Sequence, residues 1–243
     1  MNEQSSWNEY ALLFDMDGVI ISLKARWIDP LEEVISSINS NYDRKAIEEK
    51  SSSLILVHGG KTNALMLKGI IQVCSVCGLS RFQTFRVVFR LVFMFISRTK
   101  FRIVPLEGVT DTLKFLKDQG FKLALVTSAS RITTRALKKS YPEIYNKFDC
   151  IYTRNDVKLT KPSPDQLLLA LKKLDVDKAK TAMIGDFISD IIAGKEAGVK
   201  TIAVLSEYPE VNRFPLESAE PDIIINNITE IPNIILQIFQ PSF

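Results

Sequence analysis

Along this chain, short uninterrupted apolar runs alternate with stretches in which apolar residues recur at helical spacing. Tyr10-Ala11-Leu12-Leu13-Phe14 is the first run. It ends at acidic residues, the pattern of a parallel strand buried on both faces with functional groups at its carboxyl end. Asp29-Pro30-Leu31-Glu32 predicts a helix start, with Asp29 as N-cap, Pro30 at the first helical position and Glu32 completing a capping box; Leu31, Val34, Ile35 and Ile38 follow at helical spacing. Further helices are predicted around 62–76 and 81–96, with Gly59-Gly60 and Gly78 as breaks, so the middle of the chain is all-helical.

After Pro105 the rhythm changes. Helices over 109–119, 133–139, 163–174 and 188–197 alternate with strands over 121–126, 148–152, 181–184 and 200–204, and 222–225 adds a last short strand. Such alternation implies right-handed crossovers and a parallel sheet covered on both faces. The predicted organisation is an α/β body made from residues 1–20 and 105–243, interrupted by an all-helical insertion over 21–104.

A hydrophobic content of 46% in 243 residues supplies a sizeable core, which argues against a disordered or fibrous chain. Residues 1–10 are polar and show no basic segment followed by a long apolar one, so no secretory signal is expected and a cytoplasmic location is the default. Cys74, Cys77 and Cys150 are an odd number in a chain too large to need staples, and are expected as reduced thiols. Cys74 and Cys77 form a C-x-x-C, but no second pair completes a zinc site, and Ile70, Ile71, Val73 and Val76 around them predict core packing. Charge changes the picture more. Residues 51–106 contain no Asp or Glu, while Lys61, Lys68, Arg81, Arg86, Arg90, Arg98, Lys100 and Arg102 are all cationic. Either this is a solvated basic face or it meets something anionic: substrate, membrane surface or nucleic acid.

Four elements carry candidate chemistry. Asp15 and Asp17 flank Met16 directly after the first strand, and Gly18 follows where the backbone must turn. Two carboxylates about 4 Å apart at an effective dielectric near 20 repel by roughly 4 kcal/mol, which a cation or a shared proton offsets. Thr127-Ser128 ends the strand over 121–126, where a hydroxyl can donate to a phosphoryl oxygen. Lys161-Pro162-Ser163-Pro164-Asp165 is a stiffened loop whose lysine can neutralise a dianionic group. Gly185-Asp186-Phe187-Ile188-Ser189-Asp190 ends the strand over 181–184, with Asp190 near the first turn of the next helix. With Asp15 and Asp17, these two aspartates form an oxygen-rich set suited to Mg²⁺. Taken singly, each element serves equally as a capped turn, a surface lysine or a helix-end carboxylate.

In this order, each at the carboxyl end of a strand, the four elements closely resemble the haloacid dehalogenase superfamily over almost the whole body. The resemblance implies a Rossmann-like sheet in which Asp15 attacks phosphorus to form an aspartyl-phosphate and Asp17 acts as general acid, then base. It further implies that Thr127 holds a phosphoryl oxygen, Lys161 steadies nucleophile and phosphate, Asp186 ligates Mg²⁺ and Asp190 supports the metal. On the same basis Gly18 and Ser128 are expected at the bound phosphate, and Asp15, Asp17, Asp186 and Asp190 around the metal. The presence of Asp17 counts against the dehalogenase branch, which lacks that acid and base.

The insertion resembles the helical cap of the phosphoglycolate phosphatase and β-phosphoglucomutase subgroup, which closes over the crevice and selects substrate. His58-Gly59-Gly60-Lys61-Thr62 falls where similar proteins carry a specificity loop. It is not a P-loop, because Ile55 stands at the required first glycine. Lys61 and Thr62 are expected to hold a substrate carboxylate or second phosphate, and the lone His58 is expected at a surface or helix end. Residues 85–96 are apolar around Arg86 and Arg90 and too short for the ~20 residues that span a bilayer. A buried cap helix is predicted there, with a membrane-interfacial or partner-binding helix flanked by Arg98, Lys100 and Arg102 as the alternative. Ser22-Leu23 depart from the Asp followed by Ser or Thr that relatives commonly carry, which puts the cap-hinge contacts in question.

The function expected is a Mg²⁺-dependent phosphatase acting on a small phosphomonoester, with 2-phosphoglycolate the leading substrate by subgroup resemblance. A sugar-phosphate mutase is the alternative within the same chemistry. The third expectation is a binding protein that works through the basic insertion at a membrane or nucleic acid; neither is the favoured partner.

Overall fold

Strand β1, Ala11–Phe14, forms the middle of a six-stranded, all-parallel sheet in the computed structural model, which describes residues 7–39, 42–45, 47, 50–51, 63–97 and 102–239. The strand order is β3 (Cys150–Tyr152), β2 (Lys122–Val126), β1, β4 (Thr181–Gly185), β5 (Lys200–Val204), β6 (Ile223–Ile225). Leu12 stands opposite Leu123 on one side and Ala182 on the other. Strand alternation then divides the apolar residues between two cores. Leu12, Phe14, Leu123, Leu125, Ala182 and Ile184 join one, whereas Ala11, Leu13, Ala124, Val126 and Met183 join the other. Burial on both faces is why β1 has no polar position. The chain winds from β1 to β3 on one side and from β4 to β6 on the other, so the crevice between the two halves opens at the carboxyl end of β1, the usual ligand position in such sheets.

Helices α4 (Val109–Asp118) and α10 (Ile231–Phe239) cover the first core through Val109, Leu113, Leu116, Ile231, Ile235 and Ile238. The same core takes Leu137 from α5 (Arg131–Ser140) and Ile144 from α6 (Pro142–Tyr145). Helices α7 (Asp165–Leu174) and α8 (Ile188–Ala197) cover the second. A ninth helix, α9 (Pro209–Ser218), buries Leu216 against Ile191, Ala203 and Leu205. The apolar pattern predicts neither α9 nor α10. In α9, Pro215 interrupts the helical pattern and only Asn212 and Leu216 are buried.

The remaining described helices, α1 (Asp29–Ser36), α2 (Asn63–Val76) and α3 (Arg81–Ser97), build a core of their own from Leu31, Val34, Ile35, Ile47, Val73, Cys74, Cys77, Leu79, Val87 and Leu91. No strand residue enters it. Cys74 and Cys77 are packing residues here, and burial raises both thiols, Cys74 to about 11. Helix α3 begins at Ser80, whose hydroxyl accepts from the Gln83 amide at 3.3 Å while the Gln83 side chain accepts from the Ser80 amide at 2.8 Å. Contrary to the sequence expectation, α3 is buried along one side only. Val87 and Leu91 pack against α1 and α2, but Phe82, Phe85, Phe89 and Phe93 are exposed. The two connections between this cluster and the sheet run side by side. The Ser22 amide donates to Val104 O at 2.8 Å and the Leu106 amide to Ile20 O at 3.0 Å.

The helix start expected at Asp29 also differs. Helical backbone already begins at Leu23 and passes through a wide π-turn, Lys24–Ile28, before α1; Asp29 has helical angles and caps nothing. An α-helical Pro30 would lack its amide donor and crowd the carbonyl four residues back. The wide turn stops directly before it, and the Asp29 amide reaches five residues back to Lys24 O. The cap comes instead from Ser22, whose hydroxyl accepts from the Ala25 amide at 2.9 Å and donates to Glu207 at 2.6 Å. Glu207 also accepts from the Lys24 amide at 3.2 Å. A carboxylate from the loop after β5 thus supports this hinge. Leu12→Ala, at the centre of the sheet, is expected to lower unfolding free energy in urea by about 3 kcal/mol, and a loss below about 1 kcal/mol would contradict its place in the core.

Candidate active site

The candidate side chains of the body come from a strand's carboxyl end, the loop beyond it or, for Asp190, the first turn of the helix that follows. The Asp15 amide extends β1 by donating to Ile184 O at 2.9 Å, and the Thr127 amide extends β2 by donating to Tyr152 O at 2.9 Å. Asp186 follows β4 directly, and Asp190 lies in the first turn of α8, where its side chain accepts from the Phe187 amide at 3.0 Å. Lys161 reaches in from the loop before α7. It is only 4% exposed, so its ammonium must find its partners inside the protein. It sits 2.5 Å from Asp15 Oδ1 and 2.6 Å from Asp190 Oδ1, and donates to Val126 O at 2.9 Å.

Asp15, Asp186 and Asp190 are buried, and each offers an oxygen within 4.8 Å of the others. Burial and the neighbouring Asp15, Asp190 and Asp17 charges push the Asp186 carboxyl well above the ordinary carboxylate range. Burial likewise raises Asp190, to about 6, against the opposing pull of Lys161. Burial alone would lower Lys161, but Asp15 and Asp190 together hold it above the usual lysine value. Asp186 Oδ1 is buried and has no hydrogen-bond partner. That orphaned oxygen tests whether a metal fits. The three carboxylates present hard oxygen donors, one of them unsatisfied, and counting Asp17 there are four carboxylates against the two cations Lys161 and Arg26. One Mg²⁺ would match both the donor type and the charge excess.

Asp17, expected among the metal ligands, is not one of the three grouped carboxylates. Its side chain pairs with Arg26, from the π-turn, and Arg26 also donates to Thr133 Oγ1 at 3.1 Å. Burial raises the Asp17 carboxyl, Arg26 lowers it, and the Asp15 charge adds to the rise. Thr127 is buried beside this group, with its carbonyl accepting from Gln166 Nε2 at 2.9 Å, and Ser128 is partly exposed. Gly18 has φ +77°, and a Cβ there would lie 1.8 Å from Asp186 Oδ2, so both backbone and space require glycine. Lys61, Thr62 and His58 lie outside the described residues.

Several supporting residues are not legible in the sequence motifs. Arg26 partners Asp17, Gln166 orients Thr127, and Asn212 Nδ2 donates to Asp186 O at 2.7 Å. Ser206 donates to Gly18 O. The one available signal for Arg26 is that the stretch immediately after the first motif carries two cations, Lys24 and Arg26.

The raised acids set a pH dependence. A carboxyl raised in the folded state stabilises the fold fully below its unfolded value, near 3.9, and that contribution is lost as pH climbs through its folded value. Metal-free protein should therefore weaken between roughly pH 4 and the region just above 6. Mg²⁺ needs the ionised forms, so at about a hundred times its Kd it should add about 2.7 kcal/mol at neutral pH and much less near pH 5. Thermal unfolding with and without Mg²⁺ measures this, and Asp186→Asn should abolish the gain. An equal gain at both pH values would refute metal binding by these acids.

The family model of haloacid dehalogenase-like hydrolases matches residues 11–198, from β1 through α8. Pyrophosphatase PpaX of Halalkalibacterium halodurans is 36% identical over 133 residues, 55% of this chain and 60% of that protein. The chain thus spans about six tenths of the length of that curated relative. The probable phosphatase IndB of Dickeya dadantii is 26% identical over 221 residues, 90% of each chain. A crystal structure titled as a putative beta-phosphoglucomutase, from Thermotoga maritima, shares the fold with a TM-score of 0.67 at 22% identity, covering 94% of this chain and 99% of that one. Because the matched segment holds all four motifs and well over half of the residues, the chain belongs to the haloacid dehalogenase-like hydrolase family.

Proposed function

We propose that this protein is a Mg²⁺-dependent phosphatase that hydrolyses a small phosphomonoester through an aspartyl-phosphate on Asp15. The observation that carries this reading is the buried group of Asp15, Asp186 and Asp190 around Lys161, with one carboxylate oxygen of Asp186 left unsatisfied. Bound there by Asp15, Asp186 and Asp190, Mg²⁺ would polarise a phosphoryl oxygen and screen the approach of one anion to another.

The protein's own groups then divide the work. The free oxygen of Asp15 forms the bond to phosphorus as the bond to the leaving oxygen breaks, and Asp17 gives that oxygen its proton. In the second half, Asp17 takes a proton from water, whose oxygen attacks phosphorus and returns Asp15 as a carboxylate. Asp17 suits both halves, because burial favours its protonated form while Arg26 favours its ionised form. The Thr127 hydroxyl and the backbone at Gly18 and Ser128 hold phosphoryl oxygens, and Lys161 neutralises charge on the transferring group. The insertion over 21–104 acts as the cap, with Lys61 and Thr62 holding a second anionic group of the substrate.

2-Phosphoglycolate, with a carboxylate beside its phosphate, is the substrate this arrangement favours. The PpaX relative adds pyrophosphate to the panel, and sugar phosphates test for a mutase. Phosphate release from 2-phosphoglycolate should require Mg²⁺ and fall by roughly a thousandfold or more in Asp15→Asn. Undiminished turnover in that variant would sink the assignment, and an isomerised sugar phosphate without free phosphate would replace it with the mutase. Lys61→Ala should raise KM for 2-phosphoglycolate by about tenfold and change turnover of a plain aryl phosphate little.

A further inference from the structure

Helix α3 turns a row of phenylalanines away from its own core. Phe82, Phe85, Phe89 and Phe93 are 72%, 65%, 64% and 63% exposed, whereas Val87 and Leu91 on the opposite side are buried. At about 100° per residue the four rings fall within an arc of roughly 80°. Val92 borders this stripe on one edge, and the exposed Arg86 and Arg90 border it on the other. Among the described residues, no carboxylate is ion-paired with these two arginines; Arg90 donates to Ser37 Oγ at 2.6 Å. An exposed aromatic stripe of this length on one helix marks a contact surface.

We propose that this face of α3 seats on an anionic phospholipid surface, with the phenylalanines entering the headgroup and acyl boundary and Arg86 and Arg90 meeting lipid phosphates. Charge selects this occupant. The segment over 51–106 carries eight cationic side chains and no acid, so it complements a negatively charged sheet of lipid. A second copy of the same helix would bring cation against cation, since α3 itself contains no Asp or Glu to pair with Arg86 and Arg90. Nucleic acid fits the charge but not the stripe, because bases stack on single ring faces and would leave much of an apolar row running from Phe82 to Phe93 in contact with water. Among the described residues no helix is long and apolar enough to cross a membrane, so the contact is at the surface. It is independent of the phosphatase reading.

Flotation of the full chain with vesicles tests it. At low salt the protein should float with phosphatidylcholine vesicles that contain phosphatidylserine and stay behind with phosphatidylcholine alone, and added salt should release it. Phe85→Ser with Phe89→Ser should weaken binding by at least about tenfold, and Arg86→Ser with Arg90→Ser by a similar factor, with thermal unfolding unchanged in both. Failure to float at low salt, or equal flotation of the phenylalanine variant, would overturn the proposal. So would concentration-dependent dimerisation lost in that variant, or binding to single-stranded RNA in place of vesicles.

Discussion

Burial of like charges at the carboxyl edge of the sheet is the constraint on which the rest of this structure depends. Asp15, Asp186 and Asp190 stand within reach of one another and out of water, and among the described residues Lys161 is the cation paired with them, through Asp15 and Asp190. Such an arrangement persists only if strands on both sides of β1 hold each group in place, because an unpaired buried charge costs several kcal/mol. The backbone follows from that demand. Gly18 leaves room for Asp186, and at Gly185 a Cβ would come within 2.2 Å of the Asp190 side chain. Side-chain donors hold the backbone around the acids: Asn212 bonds Asp186 O, Gln166 bonds Thr127 O and Ser206 bonds Gly18 O. The fully apolar β1 supplies the rigid base.

The sheet was legible because its four central strands, β1, β2, β4 and β5, are buried almost throughout, which leaves continuous apolar runs. The four motifs were legible through their order, although none was distinctive alone. What escaped the sequence depends on contacts distant along the chain. Arg26 sits on the π-turn before α1, and nothing in local periodicity marks it as the partner of Asp17. Asp29-Pro30 carries every local mark of a helix start, yet Ser22 and Glu207, 185 residues apart, set the cap. Helix α3 is apolar nearly all round, which periodicity reads as burial; only the structure shows that its neighbours cover one side.

The cores built on the sheet and the separate core of α1, α2 and α3 share one chain, joined by adjacent connections at residues 20–22 and 104–106. Arg26 is where the helical part touches Asp17. The helical part thus carries two features of different kinds: one cation, Arg26, directed inward to the Asp17 carboxylate, and a row of exposed aromatic rings directed outward on α3. The net charge of +3 hides a division along the chain: residues 51–106 carry eight cations and no acid, so the remainder nets −5.

Covalent transfer of the phosphoryl group to Asp15 can be caught in Asp17→Asn with p-nitrophenyl phosphate as substrate. This ester leaves without a proton, so loss of Asp17 spares the first half of the reaction and blocks the second. A burst of one p-nitrophenolate per active site is expected, followed by stalled turnover and a phosphoryl group mapped by mass spectrometry to Asp15. Steady turnover at the wild-type rate, or a phosphoryl group on another side chain, would contradict it.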